Sequence, residues 1–262
     1  MGTYIDKIVK RFGLEDSRKF ATPMEPGFVL TEEDFKEEPS ESMISEMRSL
    51  IVSIGYCATA VRFDISHAVS VLSQHLARPC NKVIEAAKRI IKYLAGTRDF
   101  AITWVSSALE EEQGCDNVII GAVDASFAMD AMTRKSHGGF INFVNNGTVS
   151  WKSGLVTLSS CEAEYVALCS EVCEVKYLRL LMRQLGHQQV KSTLIWEDNK
   201  AAILIAENDC SSAGRSKHID VRYKFVAQAV TEGSVRVRYT PTDMNLADVM
   251  TKALPPVTFD GL

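Results

Sequence analysis

Four acidic blocks constrain this chain more than any other feature. They are VIIGAVDASF around Asp124, SSCEAEYVAL around Glu164, LIWEDNKAAI around Asp198 and NLADVMTK around Asp248. Each sets a carboxylate at the end of an apolar, strand-like run or within a helix that has an apolar face. Burying an unpaired charge costs several kcal/mol. A fold that buries the apolar parts of these blocks must therefore give their carboxylates a common counter-ion. A hard divalent cation with oxygen ligands fits such a set.

The chain has 262 residues, room for one or two domains. With 46% hydrophobic and 24% charged residues it has the composition of a soluble globular protein. A net charge of -4 argues against a wholly basic nucleic-acid binder. Outside the four acids, however, the second half is mildly basic. The 7 cysteines form no CxxC pair and the 5 histidines show no zinc spacing, so reduced thiols in an intracellular protein are expected. No apolar run approaches the roughly 18 residues that a membrane span needs, and the N-terminus lacks a signal peptide's apolar core.

Helical periodicity occupies residues 3–12, and Pro23, Pro26 and Gly27 then break regularity. The acidic stretch 31–46 has linker composition. Helices are expected near 43–60, 64–77 and 81–95, followed by a short strand from Ala101 to Val105 and an acidic stretch at 107–117. The texture then changes. A buried strand is expected at 118–123, ending at Asp124. Phe140 to Val144 and Val149 to Trp151 form a hairpin, with Asn146-Gly147 as its turn. Ser159 or Ser160 caps a long helix that runs to about Leu185 and stops at Gly186. A strand at 193–196, helices near 199–207 and 217–231, a strand at 234–239 and a short final helix near 245–252 complete the order. That order, βββ-α-β-α-α-β-α, fits a mixed sheet with helices packed on it.

If the strands ending at Asp124 and Asp198 are neighbours, both carboxylates emerge at one sheet edge. The start of the long helix can bring Glu164 there, and the last helix brings Asp248. Such a set suits Mg²⁺, and two ions about 4 Å apart would activate water and stabilise the leaving oxygen of a phosphodiester. Any one of these acids alone would pass for a cap, a turn or a helix-dipole partner; their joint order makes the stronger case. Glu162 competes with Glu164. The two face different sides of the helix, and Glu164, beside Tyr165, Ala167 and Leu168, lies nearer the sheet-facing side. Asn199 and Lys200, at a helix start, can hold a phosphate or serve as an ordinary cap. Lys152 can touch a nucleic-acid backbone or simply be solvated. His218 either begins a helix or assists product release. Arg215, Lys217, Arg222 and Lys224 form a candidate phosphate-facing patch.

At this point the chain resembles the Pol polyprotein of copia-type LTR retrotransposons, over nearly its whole length. YIDKIVKRFGLEDSRKFATPM at 4–24 is similar to the segment closing that family's reverse transcriptase. MRSLIVSIGYCATAVRFDISHAVSVLSQ at 47–74 and AAKRIIKYLAGTRD at 86–99 follow. DASF, TRKSHGGF, VSWKS, SSCEAEYVAL, EDNKAAI, KHIDVRYKFV and NLADVMTKAL then come in the family's order. The resemblance implies a ribonuclease H (RNase H) domain over 118–262. Its fold would be a five-stranded mixed sheet with flanking helices, and its four-acid metal site would fall on Asp124, Glu164, Asp198 and Asp248. Residues 1–117 would be a smaller, mainly helical thumb and connection region. Two departures stand out: the family's second Asp after the first strand is Ser126, and its T-R-P-D reads Val61-Arg-Phe-Asp64.

The activity so implied is Mg²⁺-dependent endonucleolytic cleavage of the RNA strand of RNA–DNA hybrids, with Mn²⁺ able to substitute. Lys152, Asn199, Lys200 and His218 would contact the nucleic acid. The expected partners are the hybrid and the remainder of the reverse transcriptase, with no membrane. The expected location is intracellular: cytoplasmic, in virus-like particles, or nuclear. The polymerase's own Asp-Asp motif is absent, so no DNA synthesis is expected from this chain. A non-catalytic nucleic-acid-binding or interaction module of the same origin is the alternative. An integrase or transposase on this fold would use three acids and no block like NLADVMTK.

Overall fold

The structure is a computed structural model that describes residues 1–104, 117–126, 136–156, 160–207 and 217–255. The chain divides into two compact units, one built on Met1–Ala101 and the other on Ile102–Met129 with Lys135–Thr251.

The first unit is helical. Helices α1 (Gly2–Arg11), α2 (Glu41–Ala60), α3 (Ser66–Ser73) and α4 (Asn81–Gly96) pack their apolar faces into one core around Met47, Leu50, Ile54, Ile90 and Leu94. Helix α2 starts earlier than expected because Ser40 caps it, accepting the Met43 N–H. The acidic stretch before it is also not wholly irregular: Thr31 and Asp34 form a capping box on a 3-10 turn at Glu32–Phe35. The 64–77 helix divides into a 3-10 turn at Phe63–Ile65 and α3, which ends at Ser73. Residues 101–104 form no strand, because no ladder partner meets them among the described residues. Two sequence motifs meet inside this unit. Arg62, 2% exposed, forms an ion pair with Asp64 and donates to the Thr97 carbonyl, while the Tyr93 hydroxyl donates to Asp64.

The second unit carries the sheet. Its strands are β1 (Ile119–Ser126), β2 (Ser136–Val144), β3 (Gly147–Val156), β4 (Thr193–Glu197) and β5 (Val235–Tyr239), in the order β3-β2-β1-β4-β5. β1, β2 and β3 pair antiparallel, whereas β1–β4 and β4–β5 pair parallel. Helices α5 (Ser160–Gln184), α6 (Lys200–Glu207) and α7 (Lys217–Thr231) supply the connections. The core joins Val123, Phe140, Ile195 and Val237 of the sheet to Leu168, Val172, Ile203 and Val226 of the helices. This is the five-stranded mixed sheet with flanking helices that the sequence leads one to expect. At its β5 edge, exposed or half-exposed Arg236 and Arg238 alternate with buried Val235 and Val237.

Three details depart from expectation. Asp124 does not end β1, because pairing continues through Asp124↔Gly139 to Ser126↔His137. The hairpin turn is Asn145-Asn146, not Asn146-Gly147. Both asparagines are left-handed, with φ of 52° and 57°, as a tight two-residue hairpin turn requires. The final helix is replaced by two 3-10 turns, Thr242–Met244 and Leu246–Met250, so Asp248 lies in the middle of the second. Ser159, Arg215 and the side chain of Ser160 lie outside the described residues. No described helix is long and apolar enough to cross a membrane.

One buried acid has nothing to do with the acidic blocks. Glu171 of α5 is fully buried against Gly121 of β1, where a Cβ would overlap its Oε1. Asn142 Nδ2 donates to Glu171 Oε2 at 3.1 Å, whereas Glu171 Oε1 and Asn142 Oδ1 have no hydrogen-bond partner. Protonation of Glu171 relieves the cost of a buried, half-satisfied carboxylate. Burial, reinforced by the nearby Glu174, pushes the Glu171 carboxyl well above its usual 4.5, against the Asn142 hydrogen bond. The folded-state pKa is raised, so the pair's stability is complete below about pH 4.5 and is lost as pH rises toward the folded value. Glu171→Gln, which keeps the acceptor for Asn142 without a titrating proton, is therefore expected to gain on the wild type by about 1.4 kcal/mol per pH unit across that window. Urea unfolding from pH 5 to 9 checks this, and parallel stability curves would contradict it.

Candidate functional site

Asp124, Glu164 and Asp198 converge. Each offers a carboxylate oxygen, and the three oxygens lie within 4.8 Å of one another. Asp124 and Glu164 are buried, at 2% and 8% exposure, while Asp198 is half-buried. The sheet brings this about. β1 and β4 pair side by side and parallel, so their C-terminal ends share one edge. Glu164 arrives from the second turn of α5. Its neighbour Tyr165 is buried, stacked on Tyr223 with ring centroids 4.0 Å apart, and donates its hydroxyl to the Tyr223 carbonyl. That anchor fixes the rotation of the helix and aims Glu164 at the sheet. Glu162 is more exposed and lies outside the cluster.

Asp248 is not part of this three-oxygen cluster. It is half-buried on a 3-10 turn fastened to the sheet beside Asp124. Asn245 is the fastener. Its Nδ2 donates to the Val123 carbonyl at 2.9 Å, and its Oδ1 accepts the Ala247 N–H. At the other end of the turn, the buried Thr251 hydroxyl donates to Asp124 Oδ2. The Ser153 hydroxyl donates to the Met250 carbonyl at 2.6 Å and lies 2.8 Å from His137 Nε2. Because Ser153 spends its proton on Met250, His137 must carry its own proton on Nε2. Burial pushes the His137 pKa down to about 4, so the ring is neutral near pH 7.

A further acid escaped the sequence reading. Glu197, the last residue of β4, is fully buried. Its Oε1 accepts the Asn199 N–H at 3.0 Å, and its Oε2 has no hydrogen-bond partner. Burial first and then repulsion from Glu164, with Asp198 and Asp124 adding less, pushes its carboxyl well above the usual range despite the Asn199 N–H. The signal was an acid closing an otherwise buried run, immediately before Asp198. The donor set fits a hard cation: carboxylate oxygens only, close enough to share an ion, in a pocket already crowded with negative charge.

The other candidates are dispersed. Asn199 caps α6, its Oδ1 accepting the N–H groups of Ala201 and Ala202 at 3.0 and 3.2 Å. The Lys200 ammonium lies 4.6 Å from the centre of the Tyr239 ring. Lys152 is exposed on β3. The His218 side chain lies outside the described residues, as does that of Lys217. In the first unit, basic side chains on and around α4 are engaged within the unit. Lys82 donates to the Val29 carbonyl and pairs with Asp34, Lys88 pairs with Glu46, Arg89 donates to Thr22 and Arg98 pairs with Asp6.

No protein-family model matches the chain. It is 32% identical over 263 aligned positions to the Retrovirus-related Pol polyprotein from transposon TNT 1-94 of Nicotiana tabacum, covering 98% of this chain and 19% of that protein. Homologues are Pol polyproteins of copia-type retrotransposons. The corresponding protein from transposon RE2 of Arabidopsis thaliana is 31% identical, covering 98% of this chain and 17% of the relative. The Transposon Ty1-JR1 Gag-Pol polyprotein of Saccharomyces cerevisiae is 27% identical, covering 92% and 14%. The chain thus spans about a fifth or less of the length of these Pol relatives. Among solved structures, LC11-RNase H1 in complex with RNA/DNA hybrid matches at 13% identity with a TM-score of 0.37, covering 51% of this chain and 93% of that one. The foamy viral protease-reverse transcriptase in complex with RNA/DNA hybrid matches at 11% identity and a TM-score of 0.46, covering 86% and 28%.

The cluster discriminates between the two acids at the start of α5. Glu164→Gln is expected to lower metal affinity, and any metal-dependent activity with it, far more than Glu162→Gln. Calorimetric titration of the two variants with Mg²⁺ decides, and a larger loss at Glu162 would overturn the assignment.

Proposed function

We propose that this chain is a ribonuclease H-type endonuclease that hydrolyses the RNA strand of RNA–DNA hybrids. The observation that carries this reading is the meeting of Asp124, Glu164 and Asp198 within 4.8 Å at the ends of adjacent parallel strands. Homology to the Pol polyproteins supports it. Asp248 is the proposed fourth acid, held at the same sheet edge by Asn245 and Thr251. Two divalent cations, Mg²⁺ or Mn²⁺, would supply an activated water and charge neutralisation at the leaving oxygen.

The residues of the chain do the rest. Asp124, Glu164, Asp198 and Asp248 hold the cations, and the Thr251 hydroxyl orients Asp124 by occupying one lone pair of its Oδ2. Glu197, whose carboxyl is pushed toward its protonated form by burial and the neighbouring Glu164, is not counted among the ligands. Lys152, Asn199, Lys200 and His218 are the proposed contacts to the hybrid, with Asn199 limited to its amide N–H₂ because its oxygen caps α6. Such enzymes recognise the hybrid through its 2′-hydroxyls and groove shape. Residues 1–117 are proposed to be the thumb and connection region that joins this domain to the remainder of the reverse transcriptase.

The test is cleavage of a labelled RNA–DNA hybrid with and without Mg²⁺, beside single-stranded RNA and duplex DNA. Metal-dependent cutting of the RNA strand in the hybrid alone supports the reading. Hybrid binding without cleavage would replace it with the non-catalytic module.

A further inference from the structure

Tyr239 closes β5 at the end of the sheet where the acids meet. In the parallel register it lies opposite Glu197, the residue before Asp198. The Thr240 N–H beside it donates to the Glu197 carbonyl at 3.0 Å, which fixes the root of the Tyr239 side chain next to the acid-bearing end of β4. Alternation along β5 puts Tyr239 on the face of Val235 and Val237, which share a core with Ile203 of α6. On that face α6 packs against β5, burying Ala202, Ile203 and Ala206. Lys200 is the first residue of this helix and so starts near the end of β5.

Lys200 follows Asp198 closely in the chain, beside a cluster of three carboxylates, yet among the described residues it forms no ion pair. Its ammonium lies over the Tyr239 ring instead, 4.6 Å from the centroid. Both side chains reach solvent: Lys200 is exposed and Tyr239 is 45% exposed. A ring face attracts an ammonium through its quadrupole but carries no net charge. A carboxylate partner would neutralise the lysine and take up its N–H groups. The ring restrains the lysine while leaving its charge and its donors to an anion.

We propose that Tyr239 is a positioning residue, which holds the Lys200 ammonium in place to take a backbone phosphate of the RNA–DNA hybrid next to the acid cluster. The inference rests on the hybrid as substrate and deepens that reading. Lys200 supplies the charge, and Tyr239, which is not among the contacts named above, acts through it. A lysine meets phosphate as a point charge on a flexible stem. Confining that stem before the hybrid arrives reduces the side-chain entropy lost on binding. The ring face, not the hydroxyl, meets the ammonium, so phenylalanine can stand in for tyrosine.

The test is binding of a labelled RNA–DNA hybrid to the full chain across a salt series, in EDTA so that metal-dependent cleavage cannot intervene. Both positions are exposed, so the variants should keep the fold. Lys200→Gln is expected to raise Kd about five- to tenfold and to make the salt slope shallower by about one, the loss of one phosphate contact. Tyr239→Leu, which keeps an apolar side chain without the ring, is expected to raise Kd about three- to fivefold. Tyr239→Phe should bind like the wild type. In the Lys200→Gln background Tyr239→Leu should cost nothing more, because a residue that acts through the lysine then has nothing left to hold. A purely structural role for Tyr239 would give the same loss in both backgrounds, and that result would overturn the proposal. So would equal losses in Tyr239→Leu and Tyr239→Phe, or an unchanged Kd in Lys200→Gln. A wild type that shows the expected coupling in binding but does not cut the hybrid with Mg²⁺ would sink the nuclease reading and leave this inference standing. A wild type that does not bind the hybrid would sink both.

Discussion

Asp124→Asn is expected to leave a folded protein whose hybrid cleavage falls by at least about a thousandfold, a barrier increase of about 4 kcal/mol. The amide keeps the shape of the side chain, and its oxygen still accepts the Thr251 hydroxyl that holds Asp124 in place. What disappears is one of the negative charges that would help hold a cation. Two measurements besides activity follow. Mg²⁺ should raise the melting temperature of the wild type, since a ligand bound only to the folded state stabilises it, and should raise that of the variant much less. Without metal the variant should melt higher, because one of three crowded carboxylates has been neutralised. A variant that cuts at the wild-type rate, or gains as much from Mg²⁺, would remove Asp124 from the site.

Gly139→Ala is expected to cost about 2–3 kcal/mol of stability, an overpacking penalty without a route of relaxation. A Cβ there would overlap Met250 Cβ and come 2.8 Å from the Lys152 carbonyl oxygen. One obstacle is backbone of the neighbouring strand, and the other sits next to Asp248's turn. Neither is the free end of a flexible side chain. The same substitution should therefore weaken metal binding, because it pushes away the turn that Asn245 and Ser153 fasten to the sheet. Urea unfolding and Mg²⁺ titration of the variant check both effects. A loss under about 0.5 kcal/mol, within the usual range of a neutral surface change, would show that the turn yields easily.

Much of this architecture could be read in the residues before any coordinates. The apolar runs ending near Asp124 and Asp198 form neighbouring strands, and Gly186, with φ of 89°, stands just beyond the long helix as expected. The preference for Glu164 over Glu162 rested on helical spacing and on the family's AEYVAL motif; Glu164 lies in the acidic cluster, beside the buried Tyr165, and Glu162 outside it. What escaped depended on partners distant in sequence. Ala125 and Ser126 have little intrinsic strand preference, yet they extend β1 because β2 lies alongside. The register of the hairpin is fixed by a bulge at Val149, where Asn142 pairs with Ser150 but Phe143 with Thr148, and no local pattern encodes that. Glu197 looks like any acid next to a turn until the sheet closes over it. Thr251 lies 127 residues from Asp124, a separation across which no local motif reports.

The β5 edge has a consequence for how copies of this chain meet. An open strand is a template for another strand, and a parallel sheet closes slowly enough to leave that template exposed while folding. Here two copies that approached edge to edge would bring Arg236 and Arg238 of each onto the same face of the new ladder. Like charges directly opposite one another oppose pairing. The two arginines would thus disfavour such pairing, whether or not any acid binds metal. Exchanging both for threonine, a good strand former without charge, should leave the sheet intact and increase the oligomers that accumulate with time, as read by size-exclusion chromatography.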